Sequence, residues 1–109
     1  MKRNDFLRTF LKNLQKLKMN TPGVTGWLLR KDNWQIVIMR FDRDFASEKS
    51  HVNKYSQWGV VLEGNGTLYT SHRQELEKGD SFFIPEMVPH RVEIRAGYKD
   101  ITIFNGPRY

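Results

Sequence analysis

The sequence predicts an all-β sandwich or barrel preceded by one helix. Two observations carry that prediction. From Trp27 onward the chain is a succession of short strand-like runs at regular spacing, separated by turns built on glycine, asparagine and proline. Ahead of them lies one stretch whose apolar residues recur at helical rather than alternating spacing. At 109 residues, 39% hydrophobic and 28% charged, the chain fits one domain with a modest core, which a dimer interface would help to stabilise.

Within residues 4–18, Phe6, Phe10, Leu14 and Leu17 recur at spacings of four, four and three, with Leu7 and Leu11 beside them, so a helix with one apolar face is predicted. Asn4 or Asp5 can cap its start, and the lysines near its end suit a helix C-terminus. Pro22, Gly23 and Gly26 mark residues 19–26 as a linker. The chain therefore divides into a helix and linker over 1–26 and a barrel over 27–109.

Strands are predicted at 27–30 and 34–41, the second apolar on both faces as a core strand should be. A polar connection leads to His51-Val52-Asn53, where alternation sends His51 and Asn53 to one face. Residues 57–62 form the next strand, Glu63-Gly64-Asn65-Gly66 a hairpin turn, and 67–71 its return strand. His72 falls in a polar connection and is read as exposed. Residues 81–84 form a strand, and Pro85 and Pro89 frame a bend in which Met87 is assigned to core packing. Beyond it His90, Val92 and Ile94 share one face and Arg91, Glu93 and Arg95 the other. The charged outer face turns His90 inward. A last strand is predicted at 101–104.

Composition excludes several classes. There is no cysteine, hence no disulfide framework and no thiolate chemistry. No apolar run approaches the length of a membrane span, and Met1-Lys2-Arg3-Asn4-Asp5 leads into no signal-peptide core, so a cytoplasmic protein without a membrane partner is expected. The net charge of +6 would attract anions, but the basic residues are spread. Their one cluster lies in the helical stretch, where a solvated helix face accounts for it, and nucleic acid is not expected as a partner.

Two stretches carry more than fold. His51, Asn53, Gln57 and Gly64, then Gly79, Pro85, Met87 and His90, stand at the spacing of two motifs, His-x-His-x(3,4)-Glu-x(6)-Gly and Gly-x(5)-Pro-x-Gly-x(2)-His, with three letters changed. In this the sequence resembles the cupins over residues 34–105. The resemblance implies a double-stranded β-helix, or jelly-roll barrel, in which both motifs converge on a divalent metal. Carried over, His51, Gln57 and His90 become ligands, with Asn53 beside them where a second histidine is usual. In an alternative alignment His51 is the second histidine of the pair and Lys49 takes the first position; the spacing to Gln57 favours the former. Nitrogen and oxygen donors suit nickel, zinc, iron or manganese. Two imidazoles and one or two amides are a thin set, so weak or partial occupancy is expected. Without a carboxylate ligand, a dioxygenase-type iron site is disfavoured.

The runs Gln57–Gly64, Gly79–Pro85 and the tail Ile101–Arg108 resemble small single-domain cupins with glutamine at the ligand position, among them the pectin-catabolism cupins that open cyclic unsaturated uronates. In that family an aspartate on the final strand moves the proton; the matching residue is Thr102, a poor base at neutral pH, so the proton carrier is unidentified. Phe104 and Arg108 match family residues that would contact substrate, and Arg108 could pair a carboxylate. Two functions are expected. One is a metal-dependent cupin that binds or transforms a small polar substrate such as a sugar acid. The other is a non-catalytic module holding a small molecule or anion without metal. Whether the protein is an enzyme is left open. A homodimer is expected from the apolar helix, the small core and the habit of such cupins.

Overall fold

The computed structural model describes residues 12–109. Among them ten strands run in chain order: β1 (Gln15–Leu17), β2 (Val24–Arg30), β3 (Gln35–Phe41), β4 (Phe45–Ala46), β5 (Gln57–Glu63), β6 (Asn65–Tyr69), β7 (Arg73–Glu77), β8 (Ser81–Ile84), β9 (Arg91–Ile94) and β10 (Lys99–Phe104). They form two antiparallel sheets, one of six strands in the order β1-β2-β3-β10-β5-β8 and one of four in the order β4-β9-β6-β7. No helix among the described residues is long and apolar enough to cross a membrane.

Part of the expected helix is a strand. Residues 4–11 lie outside the described residues, and Lys12 and Asn13 are helical. Gln15–Leu17, however, is β1, paired with β2 so that Gln15 stands opposite Leu28 and Leu17 opposite Gly26. The exposed edge of β2 offers a row of unpaired peptide groups, and pairing with it outweighs the weak helical preference of three residues. Leu17 packs against the buried cluster of Leu28, Val37 and Phe104. The larger sheet thus reaches into the stretch read as helix and linker, with β2 starting at Val24.

The inner faces follow strand alternation. Phe41, Val61, Leu68, Leu76, Phe82 and Ile94 close the main core, together with Ile84 and Tyr98. Burial of each such side chain contributes about 1.5–3 kcal/mol. Gly59 occupies an inward position of β5 because the Phe82 ring of neighbouring β8 lies across it, leaving no room for a Cβ. Met87, expected in the core, is instead 59% exposed, with φ at 61° in the bend between Pro85 and Pro89. His72 is exposed as expected.

The two outer faces differ. That of the four-stranded sheet is polar: Arg91 pairs with Glu93 at 3.2 Å and Arg73 with Glu75 at 2.6 Å, while Tyr69 donates to Glu93 at 3.2 Å. That of the six-stranded sheet is apolar. Ile103 lies between Ile36 of β3 and Trp58 of β5, and Trp58 stands opposite Phe83 of β8.

Candidate functional site

Between the sheets lies a cavity of about 280 Å³. Its wall is largely core side chains, and its polar groups come from the segments singled out in the sequence. His51 and His90 are joined by a two-residue antiparallel bridge, each backbone N–H donating to the other's carbonyl at 2.9 Å. Their side chains fall on the same side, with ring centroids 4.3 Å apart. The Met87 N–H donates to the Asn53 carbonyl at 2.8 Å, a second tie between the two segments. Asn53, Gln57 and both histidines line the cavity, as do Thr102, Phe104 and Arg108. Every residue expected at the site is therefore brought to one cavity. Lys49 is exposed and does not line it, which agrees with the alignment that makes His51 the first residue of its motif.

A chain of hydrogen bonds orders the mouth. Arg108 Nε donates to Asn53 Oδ1 at 3.1 Å, and Asn53 Nδ2 donates to Gln57 Oε1 at 2.9 Å. His90 Nδ1 lies 3.0 Å from the Val88 carbonyl. With that carbonyl as acceptor, Nδ1 carries the proton and Nε2 keeps its lone pair. His90 is buried and His51 sits at the rim. Burial, then the neighbouring His90 and the Arg108 guanidinium, hold the His51 imidazole below its ordinary pKa, so at neutral pH it too offers a lone pair.

Imidazole nitrogen and amide oxygen are donor types that divalent cations accept. His51, His90 and Gln57 Oε1 would hold one; the amide oxygen has a second lone pair beside the one that accepts from Asn53. The backbone bond at His90 Nδ1 is the support that metal-ligating histidines ordinarily have. Asn53 accepts from Arg108 through Oδ1 and donates to Gln57 through Nδ2, so it orients the Gln57 amide beside the histidines. No cluster of three or more His, Cys, Asp or Glu that could hold a metal ion exists among the described residues, and a set of two imidazoles and an amide brings no negative charge.

Sequence reasoning missed one group. Asp100 lines the cavity two residues before Thr102 on the inner face of β10 and is its only side-chain carboxyl among the described residues. It accepts a 2.7 Å bond from the Tyr98 hydroxyl through Oδ2, while Oδ1 is buried with no hydrogen-bond partner. Burial raises its pKa to about 6, against the lowering effect of the Tyr98 bond. Burial and the adjacent carboxylate push the Tyr98 phenol up as well. The signal was present: an acid at an inward position of an apolar strand. It was hidden because the strand was expected to begin at Ile101.

Comparison with known proteins agrees with the fold. A deletion mutant of Bacillus subtilis oxalate decarboxylase OxdC matches with a TM-score of 0.73 at 15% identity, over 90% of this chain and 29% of that one. KdgF from Halomonas sp. matches with a TM-score of 0.74 at 20% identity, over 86% of this chain and 87% of that one. An RmlC-like cupin from Shewanella frigidimarina NCIMB 400 matches with a TM-score of 0.74 at 24% identity, over 89% of this chain and 87% of that one. At these identities the likeness establishes the fold. None of the curated proteins matches the sequence significantly. The family model for the cupin domain matches residues 37–103, more than half of the chain, and so the protein belongs to the cupin family.

Proposed function

We propose that the cavity binds a small carboxylate-bearing molecule, such as a sugar acid, beside a weakly held divalent cation. The observation that carries this reading is the meeting of His51 and His90, rings 4.3 Å apart, beside the chain from Arg108 through Asn53 to Gln57. Arg108 spends Nε on Asn53, leaving its terminal nitrogens to pair a carboxylate in the mouth. Phe104 and the apolar wall below would bury the rest of the ligand. A cation on His51, His90 and Gln57 would supply Lewis-acid polarisation of a ligand oxygen. A metal-type site is in keeping with the Mn(II) centres named for oxalate decarboxylase. Thr102, whose hydroxyl ionises far above neutral pH, is a poor proton acceptor, so binding is the primary role assigned to the cavity.

A second reading, anion binding without metal, is favoured by one observation: among the described residues, the Arg108 guanidinium acts on the His51 imidazole, and this charge attracts an anion and opposes a cation. Calorimetric titration with galacturonate, run with and without a chelator and paired with elemental analysis, separates the two. The first reading expects substoichiometric metal that is lost in His90→Ala, and galacturonate binding that weakens in chelator. Arg108→Ala should weaken binding about 10- to 100-fold, the worth of a charge-assisted hydrogen bond. Binding unchanged by chelator selects the second reading. No galacturonate binding at millimolar concentration overturns both.

A further inference from the structure

We infer that the inner end of the cavity is a second polar subsite, where the Asp100 carboxyl accepts a hydrogen bond from a hydroxyl at the far end of the bound acid. The inference rests on the carboxylate reading above and adds a second anchor to it. Asp100 is 8% exposed and lines the cavity, and its Oδ1 is a buried side-chain oxygen without a partner among the described residues. Native folds rarely leave such an atom alone, because the water it gave up is not replaced. Tyr98 does not account for it. That hydroxyl occupies Oδ2 alone, and a carboxylate has room for several donors. Across the sheet Asp100 stands between Met39 of β3 and Val61 of β5, whose side chains have no donor to offer. Burial and the Tyr98 bond are what act on its ionisation, with no cation among them. The pairing of β10 with β5 also shifts between Lys99 and Asp100, passing over Leu62. Irregularities of this kind re-aim side chains beside functional sites.

The place of the subsite in the sheet sets the length of the ligand. Gln57, which carries the bonds leading to Arg108, stands opposite Phe104 on β10. Asp100 is four residues back on the same inward face, about 13 Å away at the rise of a strand. The row between them is Val37, Thr102, Gly59 and Phe82, apolar apart from one hydroxyl. The cavity of about 280 Å³ holds about nine water volumes, room for a molecule of about that many non-hydrogen atoms. A carboxylate on Arg108 and a hydroxyl on Asp100 are thus the two ends of one elongated hydroxy acid. An ammonium is a poorer occupant, since one carboxyl in an apolar wall does not repay its lost hydration.

Straight-chain acids of six, eight and ten carbons, each with and without a terminal hydroxyl, isolate the contact, because the two members of a pair differ in that group alone. Calorimetric titration of the full chain at pH about 8, above the Asp100 pKa of about 6, should show the hydroxyl strengthening binding about 10-fold or more at one of the three lengths. In Asp100→Asn, which keeps an acceptor for Tyr98 and loses the charge, that advantage should shrink several-fold. Arg108→Ala should weaken both members of a pair alike. Equal binding within every pair overturns the inner subsite and leaves the carboxylate reading in place. A hydroxyl advantage that survives unchanged in Asp100→Asn also overturns it, by putting the contact elsewhere. If no hydroxy acid binds at millimolar concentration the inference falls, and galacturonate titrated alongside shows whether the carboxylate reading falls with it.

Discussion

Asp100 shows how a single buried carboxyl sets a pH dependence. Its one hydrogen bond, from Tyr98, does not offset the loss of water, and burial carries its pKa from 3.8 to about 6. The folded protein therefore holds this proton more tightly than the unfolded chain does. The stability it contributes is fully present below pH about 4, declines as pH rises through about 6, and its loss amounts to about 3 kcal/mol. In Asp100→Asn the group is neutral at every pH and can still accept from Tyr98. Urea unfolding of the two proteins should show the variant gaining on wild type as pH rises from about 4 to 8, the difference growing by up to about 3 kcal/mol. A difference constant across that range would mean Asp100 is ionised in the folded protein throughout. His51, whose imidazole burial holds below its ordinary pKa, is common to both proteins and cancels in the comparison.

The bend between β8 and β9 is where an element turns on one dihedral angle. Met87 sits at φ 61°, a conformation glycine adopts freely and other residues only at a cost of about 1–2 kcal/mol. Its N–H nevertheless holds the Asn53 carbonyl, so the strained residue ties the two histidine segments together. Met87→Gly should relieve the strain and, after the added freedom of the unfolded glycine, stabilise the fold by roughly 0.5–1 kcal/mol in denaturant unfolding. Met87→Val should destabilise by more than about 1 kcal/mol, because a side chain branched at Cβ crowds the backbone at positive φ more than methionine does. Equal stabilities for the three proteins would show that the bend relaxes to another conformation. This position also marks what the sequence could disclose. The sequence placed His51, Gln57 and His90 at one cavity through the likeness of its two motifs to those of cupins, with alternation turning His90 inward, and its turn residues set β8 at Ser81–Ile84. It could not report a dihedral angle, so an apolar Met87 read as core. Nor could it foresee β1, whose residues take their conformation from the edge of β2 and not from their own periodicity. The start of β10, set by pairing of Lys99 and Asp100 with β3, was equally out of reach, and Asp100 with it.

At the scale of the whole molecule, the tail couples the large sheet to the site. Buried Gln35 on β3 holds Tyr109 through two hydrogen bonds, donating from Nε2 to the carbonyl at 3.0 Å and accepting from the N–H at 2.9 Å. The Tyr109 ring packs edge-on against Phe104, and the Arg108 guanidinium lies over that ring at 4.8 Å. Farther back, the Asn105 N–H donates to the Ser56 carbonyl at 3.0 Å, and Gly106 lies so close to the Tyr55 ring that no Cβ would fit. Residues 105–109 thus cross the mouth from the Ser56 segment to β3, and Arg108 reaches Asn53 from a backbone pinned on both sides. Pinning matters because a guanidinium on a free tail would lose its ordering entropy on every binding event. Gln35→Ala removes the pin at β3 without touching the ligand. It should cost about 1–3 kcal/mol of stability and weaken galacturonate binding several-fold. The sharper check is a double-mutant cycle. If Gln35 acts through Arg108, then Gln35→Ala in an Arg108→Ala background should weaken binding no further. Additive losses would separate the two residues and leave the tail a structural strap with no part in recognition.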